Sequence, residues 1–238
     1  MFKFLALLLL CVSASVQAQG ALHDDLPLLY LEQAPADARD RPLVIFLHGY
    51  GSNEEDLFGL KDGLPADYTY LSVRAPQTVE EGSYQWFHKQ GEGAYDGVTA
   101  ELADGAKLID AFVRQAVAKY HTRTDRVFLV GFSQGAIMSY ELGLRHPQAV
   151  RGIAALSGKI LPVLRSQLKS GAGLERLAIF IAHGTADMRL PYSDGSEADS
   201  LLRGLGLAPQ FHAYPGIGHT ISDSELQDLN RWLLSLNP

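Results

Sequence analysis

A serine stands between two glycines in "RVFLVGFSQGAIMSY", Arg126–Tyr140, where an apolar run gives way to a helical pattern. Gly131-Phe132-Ser133-Gln134-Gly135 reads as Gly-x-Ser-x-Gly at a strand-to-helix turn, a sharp bend that exposes a serine hydroxyl. The glycines leave room for strand and helix to approach, and the helix start offers free N–H groups and partial positive charge to an oxyanion. Such a serine can attack a carbonyl carbon. The plainer alternative is a glycine-flanked turn that happens to hold a serine. A base and a carboxylate in the right places would separate the two.

A serine nucleophile needs a base within hydrogen-bond reach, and the base needs a carboxylate to orient it. On this kind of turn the chain order is serine, then Asp or Glu, then His. Four histidines follow Ser133: His146, His183, His212 and His219. His146 precedes Pro147 at the far end of the helix, while His183 and His212 lie inside apolar strand patterns, where a structural histidine is the simpler reading. His219, in the glycine-rich loop "YPGIGHTIS" between the last strand and the last helix, is the choice for the base, with His183 in reserve. For the carboxylate, "IFIAHGTADMRLP" puts Asp187 just past a strand end, and Asp194 is the reserve.

Two N–H donors would complete an oxyanion hole. One is the main chain of Gln134, directly after the serine. The other is expected from "HGYGSNEEDL", where Tyr50 follows His48-Gly49. Each such donor stabilises the transition state by about 3–4 kcal/mol. His48 itself is read as shaping the loop.

These residues need a frame. Apolar runs without alternation read as strands buried on both faces of a parallel sheet, and they occur at Pro42–Gly49, Tyr68–Pro76, Arg126–Gly131, Arg151–Gly158, Leu177–Gly184 and Gln210–Gly216. Helical patterns cover Thr99–Tyr120, Ala136–Arg145, Ser196–Leu205 and Ser222–Leu236. The last has Ser222 as N-cap and Glu225 three residues on, a capping box. Residues 21–41 are Pro/Asp-rich and read as a surface lead-in. The alternation predicts an α/β fold: a mostly parallel central sheet with helices on both faces. Ligands bind such sheets at the carboxyl ends of the strands. The segments there carry His48, Ser133, Asp187 and His219.

Composition narrows the partners. The chain has 238 residues, 47% hydrophobic and 20% charged, with a net charge of −7 and no basic cluster. That argues against nucleic acid, which needs a concentrated Lys/Arg surface, and against docking on anionic lipid. "MFKFLALLLLCVSASVQAQG" has one early cation, an apolar run and small residues, the layout of a secretory signal cut after Ala18. Its run is about half of the ~20 residues needed to span a bilayer, and bulky Leu10 before Cys11 sets aside a lipoprotein signal. Residues 1–18 are therefore expected to leave, with 19–238 as one exported domain and no membrane insertion of the mature chain. Cleavage removes the sole cysteine, Cys11, and one of the cations, Lys3, leaving a net charge of −8. No metal or other cofactor is expected: there is no His-Glu-x-x-His, and "GEGAYDG" (Gly91–Gly97) lacks the helix and lysine of a phosphate loop.

The blocks "FLHGYGSNEEDL", "GFSQGAIMSYELGLRHP", "LSGKILP", "HGTADMRLP" and "YPGIGHTIS", in order from Pro42 to the C-terminus, resemble the phospholipase/carboxylesterase family of α/β-hydrolases. The resemblance implies Ser133 as nucleophile, Asp187 as orienting acid, His219 as base, and oxyanion donors at Tyr50 and Gln134. It also implies an aromatic pair near the site, matched by Trp86-Phe87, with Tyr84 and Tyr95 as possible companions at a substrate cleft. Two features depart from it: the thioesterase branch is cytosolic while this chain carries an export signal, and Glu80–Gly97 does not align readily. No insertion is long enough for a cap domain; the longest candidate is Leu161–Arg176. The acyl pocket is thus expected as an open cleft edged by Tyr50, Trp86, Ile160, Leu161 and Leu190. The resulting expectation is a serine esterase acting on a small-molecule ester of short to medium acyl length. Acyl transfer, thioester or lysophospholipid hydrolysis, and a non-catalytic binding module are the alternatives.

Overall fold

The computed structural model describes residues 20–90, 96–171 and 173–236. The leader, its cut site, Cys11 and Tyr95 lie outside the described residues. Along the chain come β1 (Tyr30–Gln33), β2 (Leu43–Leu47), β3 (Thr69–Val73), β4 (Gln77–Glu80), β5 (Ser83–Gln85), β6 (Lys89–Gln90), β7 (Asp96–Gly97) and α1 (Thr99–Lys119). They are followed by β8 (Val127–Phe132), α2 (Gln134–Arg145), β9 (Gly152–Leu156), α3 (Pro162–Gln167), β10 (Ala178–Gly184), α4 (Tyr192–Gly204), β11 (Gln210–Tyr214) and α5 (Asp223–Leu236).

Seven strands form one sheet in the order β1-β3-β2-β8-β9-β10-β11. All neighbours are parallel except β1, which pairs antiparallel with β3. The six apolar runs are the six parallel strands, and β2 shows why they lack alternation. Leu43, Ile45 and Leu47 face a core layer with α1, α2, α3 and α4, while Val44 and Phe46 face the opposite layer. That second layer is closed by Leu229, Trp232 and Leu233 of α5 and by Leu57 and Leu64 beside a short 3-10 segment. Each side chain taken fully out of water contributes about 1.5–3 kcal/mol.

The lead-in is corrected. Residues 30–33 form the edge strand β1, too short and too polar at Glu32 and Gln33 to stand out in the sequence. It is held by the β3 ladder, by a hydrogen bond from Tyr120 Oη to Glu32, and by Lys119, which reaches Tyr30 and Asp25. The segment after β3 carries two unforeseen hairpins, β4–β5 and β6–β7. Helix α2 begins at Gln134 rather than Ala136, and α4 at Tyr192 rather than Ser196, behind Pro191 as N-cap. Leu161–Arg176 holds the short helix α3 and a 3-10 turn at Leu174–Arg176. No cap domain is present among the described residues, and no described helix is long and apolar enough to cross a membrane.

In the capping box Ser222 Oγ accepts the Glu225 N–H at 3.2 Å, and the Glu225 carboxyl lies toward the Ser222 backbone N–H, a contact that acts to lower its pKa. The carboxyl is buried, and neither oxygen makes a well-aligned hydrogen bond among the described residues. Burial pushes its pKa from the ordinary 4.5 up to about 8. An unfolded chain therefore ionises this group long before the folded one does. Stability is greatest below the unfolded value and is lost as pH rises through the folded one. Glu225→Gln removes the ionisation, so its melting temperature is expected to gain on the wild type from pH 5 to pH 8 by several degrees, then hold level. Thermal scans across that range check this; a difference independent of pH would contradict it.

Candidate functional site

Ser133 ends β8 with φ 53° and ψ −113°, a backbone strained for any residue with a Cβ. Two contacts hold it there. Its N–H donates to the Leu156 carbonyl of β9 at 2.9 Å, and its carbonyl accepts the Ile137 N–H of α2 at 3.1 Å. The flanking glycines let the backbones meet: a Cβ on Gly131 would overlap the Gly135 carbonyl, and one on Gly135 would overlap the Leu47 carbonyl.

Ser133, His219 and Asp187 come together from three strand ends. Ser133 Oγ lies 2.9 Å from His219 Nε2, and His219 Nδ1 lies 2.7 Å from Asp187 Oδ2. A carboxylate accepts, so Nδ1 carries the proton and Nε2 is left to accept the serine O–H. Asp187 is buried, and its other oxygen accepts the Arg189 and Leu190 N–H groups at 2.8 and 3.0 Å. Burial alone would raise this carboxyl. The bonds from His219 and the two amides outweigh it and hold the pKa below the usual carboxylate range.

The loops bearing Asp187 and His219 are fastened to each other. Thr185 N–H donates to the Tyr214 carbonyl, Ala186 N–H to the Ile217 carbonyl at 2.9 Å, and Gly216 N–H to Thr185 Oγ1 at 2.9 Å. A Cβ on Gly184 would overlap the Ile217 carbonyl, so that contact requires glycine. The Phe132 ring packs on the imidazole of His219, 4.8 Å between centroids. His183, the reserve base, is buried beneath the site and donates from Nε2 to the Leu190 carbonyl at 2.9 Å. It supports the Asp187 loop and does not meet Ser133. Asp194 lies in the first turn of α4, and burial raises its carboxyl.

The His48–Asn53 loop lies against Ser133: a Cβ on Gly49 would stand 3.3 Å from the Ser133 Cβ. His48 is buried and shapes this loop, with Nδ1 donating to the Gly49 carbonyl and Nε2 accepting the Ala75 N–H at 3.0 Å. Burial lowers its pKa, consistent with a neutral ring. Gly51 N–H donates to the Tyr84 carbonyl and Tyr84 N–H to the Ser52 carbonyl, both at 2.8 Å, joining the loop to β5. Below it, Arg74 forms a two-pronged pair with buried Glu54 and covers the Tyr84 ring at 4.6 Å. Gln134 opens α2, where an N–H has no intrahelical acceptor. Tyr50, in this loop, and Gln134, at the start of α2, thus come from two backbones next to the serine.

A cavity of about 810 Å³ opens over Ser133 and His219. Tyr50 and Leu190 line it, as expected, together with Thr78, Val79, Gln85, His88, Lys89, Phe132 and Arg189. Trp86, Phe87, Ile160 and Leu161 do not. Trp86 and Phe87 are fully buried in the core against α1 and α2, and Leu161 is buried in the same core with Ile160 packed beside it. Apolar side chains on an excursion are needed to fasten it, and the core claims them before the cleft can. Trp86 Nε1 donates to the His48 carbonyl at 2.9 Å, so the aromatic pair acts on the site from behind. Tyr84 is occupied by Arg74 and is not part of the wall. Among the described residues no cluster of His, Cys, Asp or Glu could hold a metal ion.

Sequence reasoning missed the Gln134 side chain. Its Oε1 accepts the Trp86 N–H at 2.8 Å and its Nε2 donates to the Phe87 carbonyl at 2.7 Å. One buried amide thereby pins the excursion to the elbow. Nothing local in the sequence reports a contact spanning that separation.

Comparison with known proteins comes last. The model of the family described as Phospholipase/Carboxylesterase matches residues 31–237. Lysophospholipase-like protein 1 of Mus musculus is 29% identical, covering 82% of this chain and 87% of its own. A probable inactive carboxylesterase of Oryza sativa subsp. japonica is 27% identical, covering 85% and 88%. The crystal structure of the Bacillus cereus carboxylesterase superposes with a TM-score of 0.75 at 25% identity, covering 87% of this chain and 94% of that one.

Gln134→Leu removes the buried bonds to the Trp86 N–H and the Phe87 carbonyl while keeping the main-chain N–H of residue 134. A loss of about 3 kcal/mol is expected from these two buried hydrogen bonds, a fall in Tm of roughly 6–12 °C at this chain length. Calorimetry checks it; a fall under a degree would mean that the amide does not pin the excursion.

Proposed function

The chain belongs to the phospholipase/carboxylesterase family, and from that premise we propose that it is a serine esterase hydrolysing short to medium acyl esters through an acyl-enzyme on Ser133. The observation that carries the reading is the unbroken chain from Ser133 Oγ through His219 to Asp187, at 2.9 and 2.7 Å.

In the proposed mechanism His219 Nε2 takes the serine proton as Oγ bonds to the ester carbon, and the carbonyl π electrons move onto oxygen. Asp187, already ionised, stabilises the imidazolium. The N–H groups of Tyr50 and Gln134 take the oxyanion. Collapse breaks the bond to the alkoxy oxygen, which leaves as an alcohol with the proton from His219. Water then repeats the sequence on the acyl-enzyme, releasing the acid and restoring Ser133. A non-catalytic module is a second reading, favoured by the name of the rice relative. The intact hydrogen-bonded chain opposes it. Export is part of the proposal and is supported by the composition of the leader alone.

Ser133→Ala is expected to lower kcat/KM on an aryl ester by up to ~10⁶-fold with the melting temperature little changed, since the three groups act as a unit. A serine-directed phosphonate should label Ser133; an adduct elsewhere, or substantial turnover by the variant, would sink the assignment.

The cavity is an open cleft with only Tyr50, Val79, Phe132 and Leu190 as large apolar lining. Each methylene gains about 0.8 kcal/mol while it is buried and nothing once it reaches water. Across an acyl series from two to sixteen carbons, kcat/KM is expected to climb through the short members and then level. A peak at the longest chains, with a jump on micelle formation, would contradict the open cleft.

A further inference from the structure

An exposed guanidinium stands on the cavity wall of a chain whose net charge is −7: among the described lining residues Arg189 and Lys89 are the exposed cations and Asp56 the exposed carboxylate. His88, also in the lining, is engaged by Glu101 through its backbone N–H at 2.6 Å and through Nδ1 at 3.0 Å. Asp187 lies beneath, its charge taken up by His219 and two amides.

Arg189, like Arg39, Arg151, Lys169 and Arg176, has no ion pair among the described residues, and of these five it is the one on the cavity wall. Arg74 is tied to Glu54, Arg145 to Glu141, Arg165 to Glu197 and Arg203 to Asp199. No carboxylate of the described residues lies within ion-pair distance of the Arg189 guanidinium. Its backbone, in contrast, is fixed: the N–H donates to Asp187 Oδ1 at 2.8 Å. The carboxylate that orients His219 also sets where this guanidinium is rooted. The side chain buries nothing for the fold, because residue 189 is exposed at the cavity wall. A planar fork of donors beside Ser133 matches a carboxylate or phosphate group.

We propose that the ester hydrolysed at this site carries a negative charge, and that Arg189 is the specificity-determining residue that reads it. This rests on the esterase reading above and narrows its substrate class to acidic esters.

Two matched pairs of probes test it. 4-Nitrophenyl butyrate and 4-nitrophenyl hemisuccinate differ by a carboxylate in place of the terminal methyl on the acyl side. Phenyl acetate and 4-carboxyphenyl acetate place the charge on the leaving side. In at least one pair the charged member is expected to lead in kcat/KM by about tenfold, the scale of a single charge-assisted contact at an exposed site. Arg189→Ala should bring that ratio to about one, Arg189→Lys should keep part of it, and raising the salt to 1 M should compress it. Arg176→Ala, outside the cavity, serves as the control and should leave the ratio as it was. Neutral esters hydrolysed with no preference for either charged member would overturn the proposal and leave the esterase reading standing. A preference that survives Arg189→Ala would overturn the role of Arg189. Failure to hydrolyse any of the four would remove the esterase reading, and this proposal with it.

Discussion

Where α2 starts, its backbone lies directly on that of β2 and β8, with no side chain between. A Cβ at Gly135 would overlap the Leu47 carbonyl and one at Gly131 would overlap Gly135, so only glycine permits the approach. The rest of the site depends on this contact. It forces the turn at Ser133 into positive φ and brings the His48-Gly49-Tyr50 loop against the serine. It also starts α2 at Gln134, directly after the serine. Close packing of backbone on backbone makes the turn stiff, and a stiff turn can hold an unfavourable conformation that a looser one would relax.

Two buried carboxyls show how the same burial gives opposite chemistry. Asp187 and Glu225 are both nearly inaccessible, and burial acts to raise both. Asp187 receives an imidazole N–H and two amide N–H groups, and these more than repay its lost hydration. Neither Glu225 oxygen makes a well-aligned hydrogen bond among the described residues, and the carboxyl is pushed up to about 8. Hydrogen-bond supply therefore decides which carboxyl is an anion at neutral pH. The Asp187 loop obtains its supply by folding residues 189 and 190 back over the carboxylate, with His183 holding the Leu190 carbonyl from below.

Strand–helix alternation, the Gly-x-Ser-x-Gly turn and the loops after the strands were legible because each is a local pattern in the chain. Ser133, Asp187 and His219 could be named before any coordinate because the ends of parallel strands converge whatever the details between them. The cavity wall was not legible. Trp86, Phe87, Ile160 and Leu161 are apolar residues in connecting segments, and such residues can line a cleft or fasten a loop. The choice between those uses depends on which way each side chain turns, and period and composition do not report that. β1 was missed for a related reason: its ladder is supplied by β3, far along the chain.

Ser133, His219 and Asp187 sit on turns locked by backbone contacts and by hydrogen bonds between neighbouring loops. The cavity wall draws on the β4–β5 hairpin with residues 88 and 89, and on residues 189 and 190, whose backbone the Asp187 carboxylate holds. These pieces differ in how firmly they are coupled to the centre. At Gln85–Phe87 the hairpin is buried and bound to Gln134 and to the His48 carbonyl, so a change there would be felt at the oxyanion loop. Thr78, Val79, Lys89 and the guanidinium of Arg189 lie outward of those ties and are exposed. A chain of this fold can therefore revise its charge and shape at the mouth while the turn that carries Ser133 keeps its geometry.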